Sequence, residues 1–229
     1  MPSAHVLSVN VGRPAPFRVG GRTLISAFVK TPVTGPVAAR GVNLEGDDQG
    51  DRKHHGGADQ AVYAYAAEDA AWWGEQLGHP LAPAAFGENL TLAGVDVSGA
   101  RIGEIWRIGG AELRVAGPRV PCNKLATALG DPRLQKRFLH AGRPGAYLSI
   151  VGEGELQAGD DVESVHRPAH EVSVALVIEA LLIDRSRLGE LAPARQDMLP
   201  KLAGWYDEAV YTVAAASAAA EAASARTAS

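Results

Sequence analysis

One thiol serves the whole chain. Cys122 is the single cysteine in 229 residues, and it stands in the run GPRVPCNKL at 117–125. Arg119 and Lys124 flank it, and a nearby cation favours thiolate over thiol. Thiolate is the form that attacks electrophiles or binds soft metals. Pro118 and Pro121 stiffen the run and remove backbone donors, which can hold the sulfur in one place. A buried, inert cysteine is the ordinary alternative, but a basic, proline-framed polar run is a poor setting for inert core.

Three further groups of residues carry possible chemistry. Gly46-Asp47-Asp48-Gln49 is followed by Asp51, Arg52 and Lys53. His54-His55-Gly56-Gly57-Ala58-Asp59 comes next; paired glycines let backbone N–H groups approach an anion, and a histidine can donate or coordinate. Phe86-Gly87-Glu88-Asn89-Leu90 reads as a turn into a strand. Asp47 and Asp51 are possible proton donors or histidine partners, and loop solvation is the plain alternative.

The same reading excludes several classes. The chain has no G-x-x-x-x-G-K-[ST], no G-x-G-x-x-G, no G-x-S-x-G and no H-E-x-x-H, so the P-loop, dinucleotide, nucleophile-elbow and zinc-helix signatures are missing. Iron–sulfur clusters usually take about four thiolates, and structural zinc sites usually take two or more. One cysteine suits neither, and it cannot form an internal disulfide, which fits a reducing, cytoplasmic setting. A net charge of −4 argues against non-specific nucleic-acid or anionic-membrane binding. No run approaches the roughly 18–20 apolar residues of a membrane span, and the N-terminus lacks a signal-peptide pattern.

The elements that must position these groups are read from hydrophobic periodicity. Strands are expected at 5–11, 24–29, 61–65, 146–151 and 161–165. Residues 105–115 read as a hairpin across Gly109-Gly110. A helix is expected over 68–77, with Trp72, Trp73 and Leu77 as core. Asp131-Pro132 opens another that Gly142 ends, with Leu134 and Phe138 on its apolar face. After residue 168 helical patches follow, the first over 173–182 with Ser173 as cap, the rest broken at Gly189, Pro193, Pro200 and Gly204. Strands first and helices afterwards predict a mostly β, α+β chain: a β-rich domain at 1–167, a small helical domain at 168–212, and a low-complexity, alanine-rich tail at 213–229 expected to be frayed or disordered.

Four ordered blocks carry a resemblance. LEGDDQGDRKHHGGADQAVYAY (44–65), FGENL (86–90), GPRVPCNKL (117–125) and GRPGAYLSIV (142–151) resemble the MOSC family, named for the C-terminal domain of molybdenum-cofactor sulfurases. The opening LSVNVG and the block order resemble its stand-alone, YiiM-like bacterial branch, in which a three-helix domain follows. The resemblance implies a bent, barrel-like β fold with a few peripheral helices over about residues 5–167. It implies that Cys122 is the metal ligand of a molybdenum cofactor (molybdopterin), and that the activity is reduction of N-hydroxylated compounds, including hydroxylaminopurine-type bases, in detoxification.

The residue chemistry agrees with that expectation. A pterin dithiolene already supplies sulfur to the metal, so one further soft thiolate suffices. Arg119, Lys124, Asn123, Asp59, Asn89 and the His55-Gly56-Gly57 turn are then the candidates for holding the cofactor. Asp47, Asp59 or His55 is the candidate proton donor. With no cluster thiolates and no flavin fingerprint, electrons are expected from a separate reductase or carrier protein, with the helical segment as a candidate docking surface. A sulfur carrier holding a persulfide on Cys122 and a non-catalytic cofactor store stay open as alternatives.

Overall fold

The computed structural model describes residues 3–48 and 56–227. Its strands are β1 (His5–Val11), β2 (Ala15–Val19), β3 (Arg22–Ser26), β4 (Thr31–Val33), β5 (Val37–Arg40), β6 (Asn43–Leu44), β7 (Val62–Ala66), β8 (Leu90–Ala93), β9 (Ile105–Ile108), β10 (Ala111–Pro118), β11 (Ala146–Gly152), β12 (Gly154–Leu156) and β13 (Val162–His166). The α-helices are α1 (Ala67–Leu77), α2 (Asn123–Ala128), α3 (Leu134–His140), α4 (Val174–Leu182) and α5 (Pro200–Thr227), with 3-10 segments at Ala58–Gln60 and Arg185–Ala194. Among the described residues no helix is long and apolar enough to cross a membrane.

Eight strands form the main sheet in the order β13-β9-β10-β11-β7-β8-β1-β4. Its pairs are antiparallel except β7 with β8, which run parallel with α1 as the crossover. That parallel unit was not expected, because Val62–Ala66 is buried on both faces and short buried runs carry no alternation to read. The sheet curls on itself. Val6 N–H donates to the Asp160 carbonyl at 2.9 Å, and Val162 N–H donates to the Ala4 carbonyl at 2.9 Å, so the start of β1 meets the segment entering β13. The expected hairpin forms between β9 and β10, with Gly109 at φ +55°.

Two apolar clusters fill the molecule. The larger lies on the main sheet and takes in Val174, Val177, Leu181, Leu191, Leu202 and Tyr206 from the C-terminal helices. The smaller is aromatic: Tyr63, Tyr65, Trp73, Phe86 and Phe138 with Leu125 and Leu134. Tyr65 stacks on Phe86 with ring centroids 4.1 Å apart. This cluster anchors α1, α2 and α3 against one end of the sheet, and α2 begins at the residue after Cys122.

The C-terminal segment departs from expectation in two places. Ser173 caps α4 by accepting from Leu176 N–H, as expected. Gly204, however, does not break α5, and the helix runs on through the alanine-rich segment to Thr227. Alanine has the highest intrinsic helix propensity, and Leu202, Ala203, Tyr206 and Ala209 pack the first turns so that nucleation is already met.

Candidate functional site

Several strand ends converge at one end of the sheet. Gly12 follows β1, Tyr63 lies near the start of β7, Asn89 precedes β8, Arg119 follows β10 and Tyr147 lies near the start of β11. Between them opens a cleft of about 90 Å³, lined by Lys30, Asp47, Asp48, Gly56, Gln60, Tyr63, Asn89, Arg119, Cys122, Lys124 and Tyr147 among others.

Cys122 is the N-cap residue of α2. Three influences act on its thiol. Burial raises its pKa, but the Arg119 guanidinium and the backbone N–H groups of Leu125 and Lys124 outweigh burial, so the thiol is held below its ordinary value. The sequence pointed to the charges of Arg119 and Lys124 together; Arg119 acts through its guanidinium, whereas Lys124 acts through its backbone N–H. The sequence did not show that Cys122 opens a helix, because α2 is short and Asn123-Lys124-Leu125-Ala126-Thr127-Ala128 has little apolar periodicity.

Arg119 is buried, and a buried cation must be compensated. It donates to the Phe86 carbonyl. Its guanidinium carbon lies 4.8 Å from the Tyr63 ring centroid and 5.2 Å from that of Phe28. Burial works against its charge, but Tyr63, Tyr147 and Cys122 more than offset this and push its pKa above the ordinary arginine value. The thiolate is thus one of the groups that hold Arg119 charged in the wall.

Asp47 is enclosed by donors. Its Oδ1 accepts from Gly12 N–H at 2.7 Å and from the Lys30 ammonium, and its Oδ2 accepts from Asn89 Nδ2 at 2.9 Å. A Cβ on Gly12 would lie 2.6 Å from the Val29 carbonyl oxygen, so glycine is what lets β1 meet this corner. Burial pushes the Lys30 ammonium below its ordinary pKa while Asp47 opposes that shift. Asn89 also accepts from Tyr63 N–H at 3.1 Å and donates to the Asn10 carbonyl at 3.2 Å. Asp47 and Asn89 therefore lie in the cleft wall with their polar atoms engaged by the chain itself. Beneath them Glu88 accepts from Ala84 N–H, Phe86 N–H and the Thr91 hydroxyl, and fixes the loop that presents Phe86 to Arg119.

The other predicted residues divide. Lys124 and Gly56 line the cleft, and Gly56 and Gly57 both take positive φ, at +85° and +87°. Asp59 does not face the cleft: its Oδ2 accepts from Lys201 N–H at 3.0 Å, in the first turn of α5. Asn123 also turns away, with its Oδ1 accepting from Gln135 Nε2 at 2.7 Å on the exposed side of α2. His55 lies outside the described residues, as do Asp51, Arg52, Lys53 and His54.

Lys30, Tyr63, Tyr147 and Gln60 were missed. Tyr63 and Tyr147 face each other across β7 and β11 with ring centroids 5.2 Å apart. Both lie inside the quoted blocks, where a tyrosine in a strand reads as core. Lys30 stands alone between short strands, and only the fold brings it to Asp47.

The chain is similar to known proteins in sequence and in fold. The MOSC domain pattern matches residues 51–163. YflK of Bacillus subtilis (strain 168) is 37% identical over 169 residues, covering 74% of this chain and 76% of YflK. Protein YiiM of Escherichia coli (strain K12) is 35% identical over 162 residues, covering 69% of this chain and 70% of YiiM. A protein named reductase from Gibberella moniliformis is 30% identical over 197 residues, and the match spans only 34% of its length. The crystal structure of YiiM from Geobacillus stearothermophilus superposes with TM-score 0.74 at 28% identity, covering 90% of this chain and 98% of that one. With its curled sheet, its cysteine cleft and two bacterial relatives matched over most of their length, this chain belongs to the MOSC domain family.

Proposed function

We propose that the cleft holds a molybdenum cofactor through Cys122, and that the protein reduces N-hydroxylated compounds. The observation that carries this reading is the charge-stabilised thiol of Cys122 on the edge of a cleft lined by Lys30, Arg119 and Lys124. Family membership supports a molybdenum-cofactor-related role.

The donor set fits the group. Cys122 offers one soft thiolate, the kind of ligand that suits a sulfur-rich metal centre. Lys30 is paired with Asp47 and Arg119 faces the Cys122 thiolate, so of the three cations in the lining Lys124 is the one open to a phosphate-bearing ligand. Lys124 meets no carboxylate among the described residues and is the cation left for that phosphate. Gly56, with no side chain, lets the backbone of the cleft wall approach a ligand closely. When bound, the cofactor supplies a two-electron centre that can take oxygen from an N–OH group.

The chain's own residues perform the rest. Arg119 keeps Cys122 in its ligating form. Asp47 fixes Lys30 and Asn89 in the wall and is saturated with donors, so it serves as a positioning residue in this reading. Tyr147 becomes the candidate proton source. Burial raises its phenol pKa, Arg119 opposes this and Cys122 adds to it, so the proton stays on at neutral pH next to the sulfur. The overall change, R–NHOH + 2 electrons + 2 protons giving R–NH2 and water, needs an electron donor, here a separate reductase or carrier protein. The test is turnover of an N-hydroxylated purine by cofactor-loaded protein with reduced viologen as donor. Substrate-dependent viologen oxidation is expected, and its absence in protein carrying a full complement of molybdenum would overturn the reductase reading.

Persulfide carriage is the second reading. The same low-lying thiol supports it, since a thiolate accepts and passes on sulfur readily. It gives no role to the cationic lining, which is why it stands second.

A further inference from the structure

The opening of the chain is charged differently from the rest. Residues 1–44 contain Arg13, Arg18, Arg22, Lys30 and Arg40 but no aspartate or glutamate, in a chain whose net charge is −4. Arg13, Arg18 and Arg22 sit on or beside one ribbon. Among the described residues β2 and β3 pair only with each other, across a tight turn at Gly20-Gly21, and stand apart from the main sheet. Residues directly opposite one another share a face. Phe17 pairs with Leu24, whereas Pro16 pairs with Ile25 and Arg18 with Thr23. Phe17 turns towards the molecule, its ring centroid 5.8 Å from that of Phe28. The other face therefore presents Arg18, Thr23 and Ile25 outwards, all exposed.

The ribbon adjoins the cleft. Ala27, Phe28 and Lys30, just beyond β3, line it, and β2 packs against α2, the helix that Cys122 caps. Lys30 and Arg119 are engaged inside the wall. Arg13, Arg18 and Arg22 are exposed and, among the described residues, meet no carboxylate. Beside them Leu24, Ile25 and Val29 are 42%, 54% and 62% exposed. A two-stranded ribbon buries little by itself. Neighbouring exposed aliphatic side chains rimmed by charge mark an interaction surface.

We infer that the β2–β3 ribbon is the docking surface for an acidic electron-carrier protein, which brings its redox centre to the mouth of the Cys122 cleft. The inference rests on the reading of the protein as a reductase. Each docking delivers one electron from a reduced carrier. Two reduced carriers thus leave oxidised for each R–NHOH that takes up 2 electrons and 2 protons to give R–NH2 and water. Charge selects the partner, because cations without partners of their own steer and orient an acidic face. The aliphatic residues select a protein over a nucleic acid. A phosphate backbone would use the arginines alone, and single strands are held by stacking on aromatic side chains; the outward face of the ribbon has none, since Phe17 turns in. The helical segment fits an acidic partner less well, because over 168–212 aspartate and glutamate outnumber lysine and arginine.

The test is calorimetric binding of two acidic carriers, a plant-type ferredoxin and a flavodoxin, to the full chain at low and at high salt. Saturable binding of at least one at low salt, weakened by added salt, is expected. Arg18→Glu combined with Arg22→Glu reverses two exposed charges outside the cleft and should weaken binding about tenfold or more, whereas the lysine pair at the same positions should bind like wild type. Ile25→Ser should weaken binding without changing its salt dependence. In molybdenum-loaded protein the charge reversals should slow carrier-driven turnover and leave molybdenum content and viologen-driven turnover unchanged, since a small donor needs no docking surface. No saturable binding of either carrier to the wild type, or binding that the reversals leave unchanged, overturns the ribbon. Reversals that abolish binding of a single-stranded oligonucleotide and spare carrier binding would make it a nucleic-acid surface and overturn it equally. The two readings fail separately: fully loaded wild type that shows no viologen-driven turnover removes the reductase reading, while carrier binding and its loss in the variants are read without turnover.

Discussion

Replacing Arg119 with methionine removes the charge that faces Cys122 and keeps a side chain of similar length. A hydrogen bond to a charged partner is worth about 1.5–3 kcal/mol in a folded protein. Arg119 is buried, so little of that is lost to solvent screening. Because 1.36 kcal/mol corresponds to about tenfold in a protonation equilibrium, the thiolate fraction below the thiol pKa should fall about 10- to 100-fold. The backbone N–H groups of Leu125 and Lys124 remain and keep the loss from being larger. Cys122 is the only thiol, so carboxymethylation by iodoacetate across pH 5–10 measures it without interference. The rate–pH curve should move to higher pH in the variant, with the rate near pH 6.5 falling by the factor above. The Phe86 carbonyl loses its donor at the same time, which should cost about 1–3 kcal/mol of stability. A folded variant whose curve overlays the wild type would refute the claim that Arg119 holds the thiolate.

Other consequences follow from the same geometry. A thiol whose folded pKa is depressed adds stability above its unfolded pKa and loses it as pH falls through the folded one; the stability advantage of wild type over Cys122→Ser should therefore be larger at pH 9.5 than at pH 6, measured by urea melts. Gly145 sits at φ +63°, and a Cβ there would lie 2.6 Å from the Tyr65 ring and 2.9 Å from the Tyr63 hydroxyl. Gly145→Ala should cost about 2–4 kcal/mol and loosen the tyrosine against which Arg119 packs, visible as a lower melting temperature with a slower Cys122 alkylation rate. Tyr147→Phe should lower turnover of an N-hydroxylated substrate about 100-fold with molybdenum content intact, the scale of losing one positioned proton donor.

What the sequence disclosed and what it hid divide along physical lines. Local signals were sound. Alternation gave β1, β9 and β10, the Ser173 cap gave α4, and Leu134 and Phe138 marked the buried face of α3. Chemistry concentrated in a short run was also legible, since Cys122 and Arg119 are close in sequence and close in space. Long-range pairing was not. Lys30 reaches Asp47 across 17 residues, and Asp59 meets Lys201 across 142. No periodicity encodes either contact. Asp59 therefore read as part of a glycine-rich anion loop when it is fastened to α5. Asn123 read as a cofactor contact because it adjoins Cys122, but opening a helix turns neighbouring side chains in different directions, and Asn123 faces solvent and Gln135.

The most direct test of the central claim is the molybdenum content of protein produced in a host that makes the cofactor, beside a Cys122→Ala variant prepared identically. About one molybdenum per chain in the wild type, absent from the folded variant, is the result this account predicts. Equal molybdenum in both proteins, or none in the wild type when the host supplies cofactor to a control enzyme, would contradict it; an added sulfur atom on Cys122 in the mass spectrum would then point to persulfide carriage.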